Sequence, residues 1–144
     1  MVSHHYHLVG SWEGGRSGQG SITVGGLQSP VSVPSEMKGQ GIGTNPEELL
    51  LGSASTCYII TLGLMLNKRE IAVKELSISS EGIAVEDPVL RFDRIIHRPV
   101  IVLENASEVD IKRVERLAME AEKNCMVSSA IRGNVEVSVE STVK

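Results

Sequence analysis

The chain has 144 residues, of which 41% are hydrophobic, 22% are charged and 3% are aromatic. This length predicts a single domain, 1–144, with enough apolar residues for one core. The formal net charge of -4 indicates no basic surface of the kind that nucleic acids and anionic membranes attract, so neither is an expected partner.

The N-terminal segment and the cysteines together favour a cytoplasmic protein. The sequence begins Met-Val-Ser-His-His-Tyr-His, without a basic region followed by an apolar stretch, so no secretory signal is indicated. Cys57 and Cys125 are too few for a disulfide scaffold. In a reducing compartment such a pair is more often reduced, catalytic or redox-sensing than structural.

Short strands joined by glycine-rich turns are predicted for the first part of the chain. Residues 2–33 are rich in Gly, Ser, Val and Thr, and residues 21–24 alternate between polar and apolar. The segment 14–18, Gly-Gly-Arg-Ser-Gly, contains too much glycine for the interior of a strand. We therefore expect Arg16 to lie on a loop.

A long apolar helix is predicted to begin at Pro46 and to end near residues 67–69. Asn45 suits the N-cap, and Glu48 can complete a capping-box-like exchange with it. Residues 49–66 carry no charge, which reaches the lower limit for a membrane span, but six of these 18 residues are Gly, Ser or Thr. We therefore expect a helix buried in the centre of the domain or across a dimer interface, and no membrane span.

The remainder of the chain predicts two strands, an amphipathic helix and a last strand. Residues 73–85 and 89–103 are expected to form an antiparallel pair. Ser107 can cap the helix, and a turn at 133–134 precedes apolar residues that alternate over 135–139. The order of strands, helix, strands, helix and strand predicts an α+β fold.

The two cysteines are the candidate reactive residues. Cys57 lies in mid-helix, where a cysteine commonly packs as a small apolar residue, and it is too far from the helix start to gain from the helix dipole. A thiolate at Cys57 needs another source of stabilisation, for which Arg16 is a candidate. Cys125 follows the amphipathic helix, where it could equally be a packing residue. No CxxC motif is present, and the scattered histidines (His4, His5, His7 and His97) do not predict a metal site.

Five segments, considered together, resemble the OsmC/Ohr family (osmotically inducible protein C and organic hydroperoxide resistance protein). They are 12–16 (Trp-Glu-Gly-Gly-Arg), 43–49 (Gly-Thr-Asn-Pro-Glu-Glu-Leu), Cys57, Cys125 and 132–137 (Arg-Gly-Asn-Val-Glu-Val). The loop arginine and the Arg-Gly-Asn turn are similar to the Ohr branch. Trp-Glu-Gly and Pro-Glu-Glu-Leu are similar to the OsmC branch, so the resemblance leaves the subfamily open.

The resemblance implies an OsmC-like fold, an intertwined homodimer with buried central helices, and a peroxidase that reduces alkyl or fatty acid hydroperoxides. In such an enzyme Cys57 is the peroxidatic thiol, Cys125 the resolving thiol, Arg16 the cation that activates Cys57, and Glu47 the carboxylate that holds Arg16. The resemblance implies no bound cofactor. It implies instead an external dithiol, such as a lipoyl-bearing protein, as the reductant.

Helix geometry places a condition on these roles. Ten residues separate Glu47 from Cys57, so a straight helix puts their Cα atoms about 15 Å apart. The four residues then require either a break in the helix, for which Gly52 is available, or contributions from both subunits. Glu48 is the alternative carboxylate.

Two other functions are compatible with the sequence. One is a non-catalytic dimer that binds an apolar ligand, in which both cysteines are merely buried. The other is a redox sensor that is oxidised stoichiometrically.

Overall fold

The computed structural model describes all 144 residues and divides them into two compact units, Met1–Leu49 and Leu50–Lys144. The single domain 1–144 stays a prediction. The elements in chain order are β1 (Leu8–Glu13), β2 (Gln19–Val24), β3 (Leu27–Ser32), a 3-10 turn (Ser35–Met37), α1 (Pro46–Lys68), β4 (Val73–Glu86), β5 (Leu90–Leu103), α2 (Glu108–Asn124), α3 (Met126–Ile131), β6 (Glu136–Val139) and β7 (Thr142–Val143). The predicted α+β fold is confirmed.

The first unit is built on an antiparallel sheet in the order β1-β2-β3. β1 pairs with β2 from Leu8 opposite Val24 to Glu13 opposite Gln19. The connection between them contains Gly14, whose φ of 91° lies in the left-handed region that glycine adopts without strain. Arg16 therefore lies on the predicted loop.

The start of α1 follows the capping signals in the sequence. The Asn45 side chain accepts a hydrogen bond from the Glu48 backbone N–H at 2.8 Å, and Pro46 is the first helical residue. Glu48 does not return the bond to Asn45. Its carboxylate accepts from the Thr44 hydroxyl at 2.8 Å, so half of the expected capping-box exchange is formed.

The second unit contains a sheet in which β5 pairs with three strands. β4 and β5 form the predicted antiparallel pair, and β6 and β7 both pair with β5 in parallel. The core of the unit combines residues of α1, β5 and α2 with one cysteine. These buried residues are Tyr58, Leu62, Leu66, Ile101, Leu103, Val114, Leu117, Ala118, Ala121 and Cys125.

Within a single chain, α1 is buried along one face. Its buried residues are spaced four apart and are Ala54, Tyr58, Leu62 and Leu66. Other apolar residues are exposed, Ile60 by 56% and Leu64 by 65%. By length and composition alone α1 is able to cross a membrane, a property that the core helices of soluble proteins share.

The short helix α3 is one of the elements that the sequence did not predict. The sequence predicted only a turn at 133–134 between Cys125 and the last strand, but Met126–Ile131 are helical. Six residues are fewer than two helical turns, so the segment carries no readable apolar period. Cys125 consequently lies between two helices rather than between a helix and the last strand.

Candidate active site

Cys57 and Cys125 are brought together in the second unit. Cys57 lies in the middle of α1 and is half-buried against the core. Cys125 is fully buried and ends α2, as its C-cap. Both are free thiols, and each affects the pKa of the other.

The surroundings of Cys57 favour its thiolate. Burial by itself raises the pKa of the Cys57 thiol. This effect is outweighed by the Cys125 thiol, by the backbone N–H groups of Val127 and Met126, and by the Thr61 side chain, whose hydroxyl donates to the Cys57 carbonyl at 2.8 Å. The pKa of Cys57 therefore lies below its ordinary value.

Cys125 has the opposite tendency. Burial raises the pKa of the Cys125 thiol, and donation of its hydrogen bond to the Cys57 sulfur raises the pKa further. Of the two thiols, Cys57 therefore ionises more readily, and Cys125 keeps its proton more strongly. This is the arrangement that a nucleophile and a second, later-reacting thiol require.

Ser128 supports the sulfur of Cys125. Cys125 is the N-cap of α3, and its Sγ accepts a hydrogen bond from the Ser128 backbone N–H at 3.5 Å. Ser128 is 1% exposed, and its Oγ has no hydrogen-bond partner.

The other two predicted site residues, Arg16 and Glu47, belong to the first unit. The Arg16 guanidinium donates to the Met37 carbonyl at 2.8 Å and forms no ion pair with Glu47. One carboxylate oxygen of Glu47 is buried without a hydrogen-bond partner. Their roles towards Cys57 stay predictions.

The helix break considered above is absent. α1 is continuous from Pro46 to Lys68 and passes through Gly52 without interruption. The remaining prediction is that both subunits contribute to a site formed by Arg16, Glu47, Cys57 and Cys125.

An apolar cavity of about 380 Å³ lies within the first unit. Apart from Ser32 and the Glu47 carboxylate, its lining is apolar or proline. The lining residues are Trp12, Ile22, Val31, Ser32, Val33, Pro34, Met37, Pro46, Glu47 and Leu49. Such a cavity accepts hydrocarbon more readily than a small polar molecule.

Tyr58, His97 and Ser80 form a partly buried polar cluster that the sequence did not predict. Tyr58, the residue after Cys57, stacks on His97 with a ring separation of 4.7 Å, and its hydroxyl donates to the Ala118 carbonyl at 2.9 Å. His97 also contacts Ser80, whose Oγ is 2.8 Å from Nδ1 of His97. Burial lowers the pKa of His97 to about 4, so the ring is neutral at pH 7.

Thr61 and Ser128 are the residues near the thiols that sequence reasoning missed. Thr61 lies four residues after Cys57, hence on the same face of α1, and this spacing could have identified it. Ser128 lies three residues after Cys125, the N-cap to N3 spacing, but that signal is readable only once α3 is recognised.

The comparisons with known proteins agree on one family. Residues 39–140 match the family described as OsmC-like protein. The uncharacterized protein YmaD of Bacillus subtilis strain 168 is 45% identical over 146 residues, covering 100% of this chain and 97% of YmaD. Organic hydroperoxide resistance protein-like 2 of Staphylococcus epidermidis is 31% identical over 147 residues, covering 100% of both chains.

Solved structures give the same answer for the fold. The crystal structure of an organic hydroperoxide resistance protein OsmC from Legionella pneumophila superposes with a TM-score of 0.78 at 26% identity, covering 97% of this chain and 99% of that chain. The resemblance inferred from the sequence motifs is thus confirmed, with the subfamily still open. The chain belongs to the OsmC/Ohr family.

Proposed function

We propose that the protein is a cysteine-based peroxidase that reduces organic hydroperoxides to alcohols. The Cys57 thiolate attacks one peroxide oxygen, so that an S–O bond forms as the O–O bond breaks. The departing alkoxide takes up a proton and leaves as the alcohol. Cys57 becomes a sulfenic acid.

The cycle is completed by the second thiol and an external reductant. The Cys125 sulfur displaces the oxygen of the sulfenic acid, which leaves as water together with the Cys125 proton, and a Cys57–Cys125 disulfide forms. A dithiol, such as a lipoyl-bearing protein, then returns both residues to thiols and is itself oxidised to a disulfide. No bound cofactor is required.

The observation that carries the proposal is the presence of two free thiols at one core, with pKa shifts in opposite directions. The pKa of Cys57 is lowered and that of Cys125 is raised, which supports Cys57 for the first attack and Cys125 for the second. The names of relatives such as the Staphylococcus epidermidis protein supply the substrate class. The apolar cavity of the first unit supports a lipophilic hydroperoxide rather than hydrogen peroxide.

The proposal includes Arg16 and Glu47 in the roles that the family resemblance implies. Arg16 would stabilise the Cys57 thiolate and the departing alkoxide, and Glu47 would orient Arg16. The unpartnered buried oxygen of Glu47 supports a carboxylate that awaits a cationic partner.

We further propose that the active protein is an intertwined homodimer in the cytoplasm. The exposed apolar residues of α1, among them Ile60 and Leu64, support a second copy of the chain as the cover of this helix. A dimer also supplies the arrangement in which both subunits contribute to one site.

The test is consumption of cumene hydroperoxide by the purified protein with dihydrolipoamide as the reductant. We expect continuous turnover by the wild type and none by Cys57→Ser. Cys125→Ser should perform one turnover and then accumulate sulfinic acid at Cys57. Full consumption by Cys57→Ser would overturn the proposal.

The same assay separates the two alternative functions. A stoichiometric sensor would consume one equivalent of peroxide per chain whether or not dihydrolipoamide is present. A ligand-binding protein is favoured by the apolar cavity, and it would bind a fatty acid equally well in the wild type and in Cys57→Ser while consuming no peroxide.

A further inference from the structure

The two sulfurs differ in their accessibility to a reductant. Cys125 is 0% exposed in a single chain, and association with a second chain can only reduce exposure further. Cys57 is half-buried, and in the proposed cycle it has to be reached by the hydroperoxide. A dithiol that approaches the oxidised pair therefore meets the sulfur of Cys57.

The leaving sulfur has its own stabilising groups. The Ser128 backbone N–H donates to the Cys125 Sγ at 3.5 Å. The Ser128 hydroxyl is buried beside it without another partner, and a hydroxyl can rotate to donate to a sulfur that gains charge. The side chain and the backbone of Ser128 both lower the pKa of Cys125, against the effect of burial.

We propose that Ser128 stabilises Cys125 as the leaving thiolate when the Cys57–Cys125 disulfide is reduced, so that the external dithiol attacks Cys57. The inference rests on the proposed function for the dithiol as reductant. It names which sulfur is attacked and which residue assists.

The electrons and protons balance over two exchanges. A thiolate of the dithiol attacks Cys57 Sγ, so that a mixed disulfide forms, the Cys57–Cys125 bond breaks, and Cys125 leaves as a thiolate held by Ser128. The second thiol of the reductant then attacks the other sulfur of the same reductant molecule, which is bonded to Cys57 in the mixed disulfide. This attack releases the Cys57 thiolate. The reductant leaves as a cyclic disulfide, and the two protons of its thiols pass to Cys125 and to solvent.

Leaving-group chemistry explains why reduction through Cys57 needs groups that stabilise Cys125. Thiol–disulfide exchange is faster when the departing thiol has a lower pKa. Burial raises the pKa of Cys125, and the side chain and backbone of Ser128 lower it, so Ser128 favours the departure of this sulfur. Attack at Cys125 would require a reductant to enter a site with no exposed surface.

The direction of attack is tested with protein oxidised by diamide, which forms the disulfide without peroxide. A brief reaction with 2-mercaptoethanol, an acid quench, alkylation with N-ethylmaleimide and peptide mass spectrometry locate the mixed disulfide. We expect 2-mercaptoethanol on Cys57 and N-ethylmaleimide on Cys125. The reverse labelling would overturn the inference. Because no peroxide is used, this result stands or falls independently of peroxidase activity.

The role of Ser128 is tested by stopped-flow reduction of the diamide-oxidised protein with dihydrolipoamide. Ser128→Ala should slow reduction about threefold to tenfold, and Ser128→Thr should restore the rate. Ser129→Ala is the matched control, because Ser129 is exposed and its hydroxyl contacts Arg132.

A purely structural role for Ser128 would leave the Cys125 titration unmoved. In the Cys57→Ser background, Ser128→Ala should raise the pKa of Cys125, followed by thiolate absorbance at 240 nm. Reduction of Ser128→Ala at the wild-type rate would overturn the role of Ser128. If Ser128→Ala does not fold, the labelling of the unsubstituted protein still decides, and an adduct on Cys125 overturns the inference.

Discussion

At the scale of single residues, the chemistry depends on an asymmetry between two chemically identical side chains. Cys57 lies on a helix face that is half-buried and meets several hydrogen-bond donors. Cys125 is enclosed by the core, and both its burial and its interaction with Cys57 raise its pKa. In the proposed cycle, the burial that penalises a thiolate at Cys125 would keep that thiol protonated until Cys57 has been oxidised.

Removing the guanidinium of Arg16 should raise the pKa of Cys57. A neighbouring arginine stabilises a thiolate, so Arg16→Ala should raise the pKa by about one unit and slow oxidation by cumene hydroperoxide about tenfold or more. Absorbance at 240 nm gives the pKa, and stopped-flow fluorescence gives the rate. Arg91→Ala is the control, because Arg91 is exposed and pairs with Asp93 at 2.6 Å. An unchanged Cys57 titration in Arg16→Ala would remove Arg16 from the site.

His97 should make stability fall in mildly acidic solution. Burial lowers its pKa in the folded protein to about 4, whereas an unfolded histidine titrates near pH 6.5. Between these values the unfolded chain binds the proton and the folded chain does not. The stability associated with neutral His97 is thus fully present above about pH 6.5 and declines as the pH falls towards 4.

The expected loss is about 2 kcal/mol of unfolding free energy between pH 7 and pH 5, measured by urea denaturation. His97→Phe keeps the aromatic stack on Tyr58 and should lack this part of the pH dependence. His7→Phe is the control, because His7 is exposed and should leave the dependence as in the wild type. Equal pH profiles for the wild type and His97→Phe would contradict the assignment.

At the scale of secondary-structure elements, the start of α2 is fixed by a reciprocal capping box. The Ser107 hydroxyl accepts from the Asp110 backbone N–H at 3.2 Å, and Asp110 accepts from the Ser107 backbone N–H at 3.4 Å. Ser107→Ala leaves the Asp110 backbone N–H without its side-chain acceptor and should lower the unfolding free energy by about 1 kcal/mol. Ser107→Thr retains the acceptor and should stay closer to the wild type. Urea denaturation at one protein concentration checks both, and equal stability of Ser107→Ala and the wild type would contradict the role of the cap.

The elements that the sequence predicted are those with local signals. Asn45 and Pro46 marked the beginning of α1, and Ser107 marked that of α2, because caps are made by side chains within four residues of the backbone groups they bind. The six-residue α3 has too few residues for a periodic signal. The parallel pairing of β6 and β7 with β5 joins residues about 42 apart, such as Arg94 and Glu136, and no local pattern specifies it.

The same distinction applies to the candidate site. The family motifs identified Cys57 and Cys125, but their contact joins residues on α1 and at the end of α2, which only the tertiary packing brings together. The opposite pKa shifts depend on that packing as well. The support from Ser128 depends on α3, and so it could not be read before that helix was known.

At the scale of the whole molecule, the composition of α1 and its burial in one chain do not match. Its residues are apolar on nearly all faces, yet the core of the second unit buries only the face that carries Ala54, Tyr58, Leu62 and Leu66. Large exposed side chains such as Ile60 and Leu64 are costly in water unless they are covered by another surface. In a dimer related by a two-fold axis, the same surface of the second chain, centred on its own α1, would cover Ile60 and Leu64.

Placing a charge on this face should therefore separate the subunits. We expect the wild type to sediment at twice the mass of one chain, and Leu64→Glu to shift towards the mass of one chain, because a carboxylate buried without a partner opposes association. Met119→Glu is the matched control: Met119 is an exposed apolar residue of α2, 52% accessible, and its substitution should leave the dimer intact. Analytical ultracentrifugation over a range of concentrations measures both, with circular dichroism to establish that the helices persist. A wild type that sediments as a single chain, or a Leu64→Glu variant that remains dimeric, would contradict α1 as the interface. Peroxidase activity retained by a monomer would show that one chain holds the complete site.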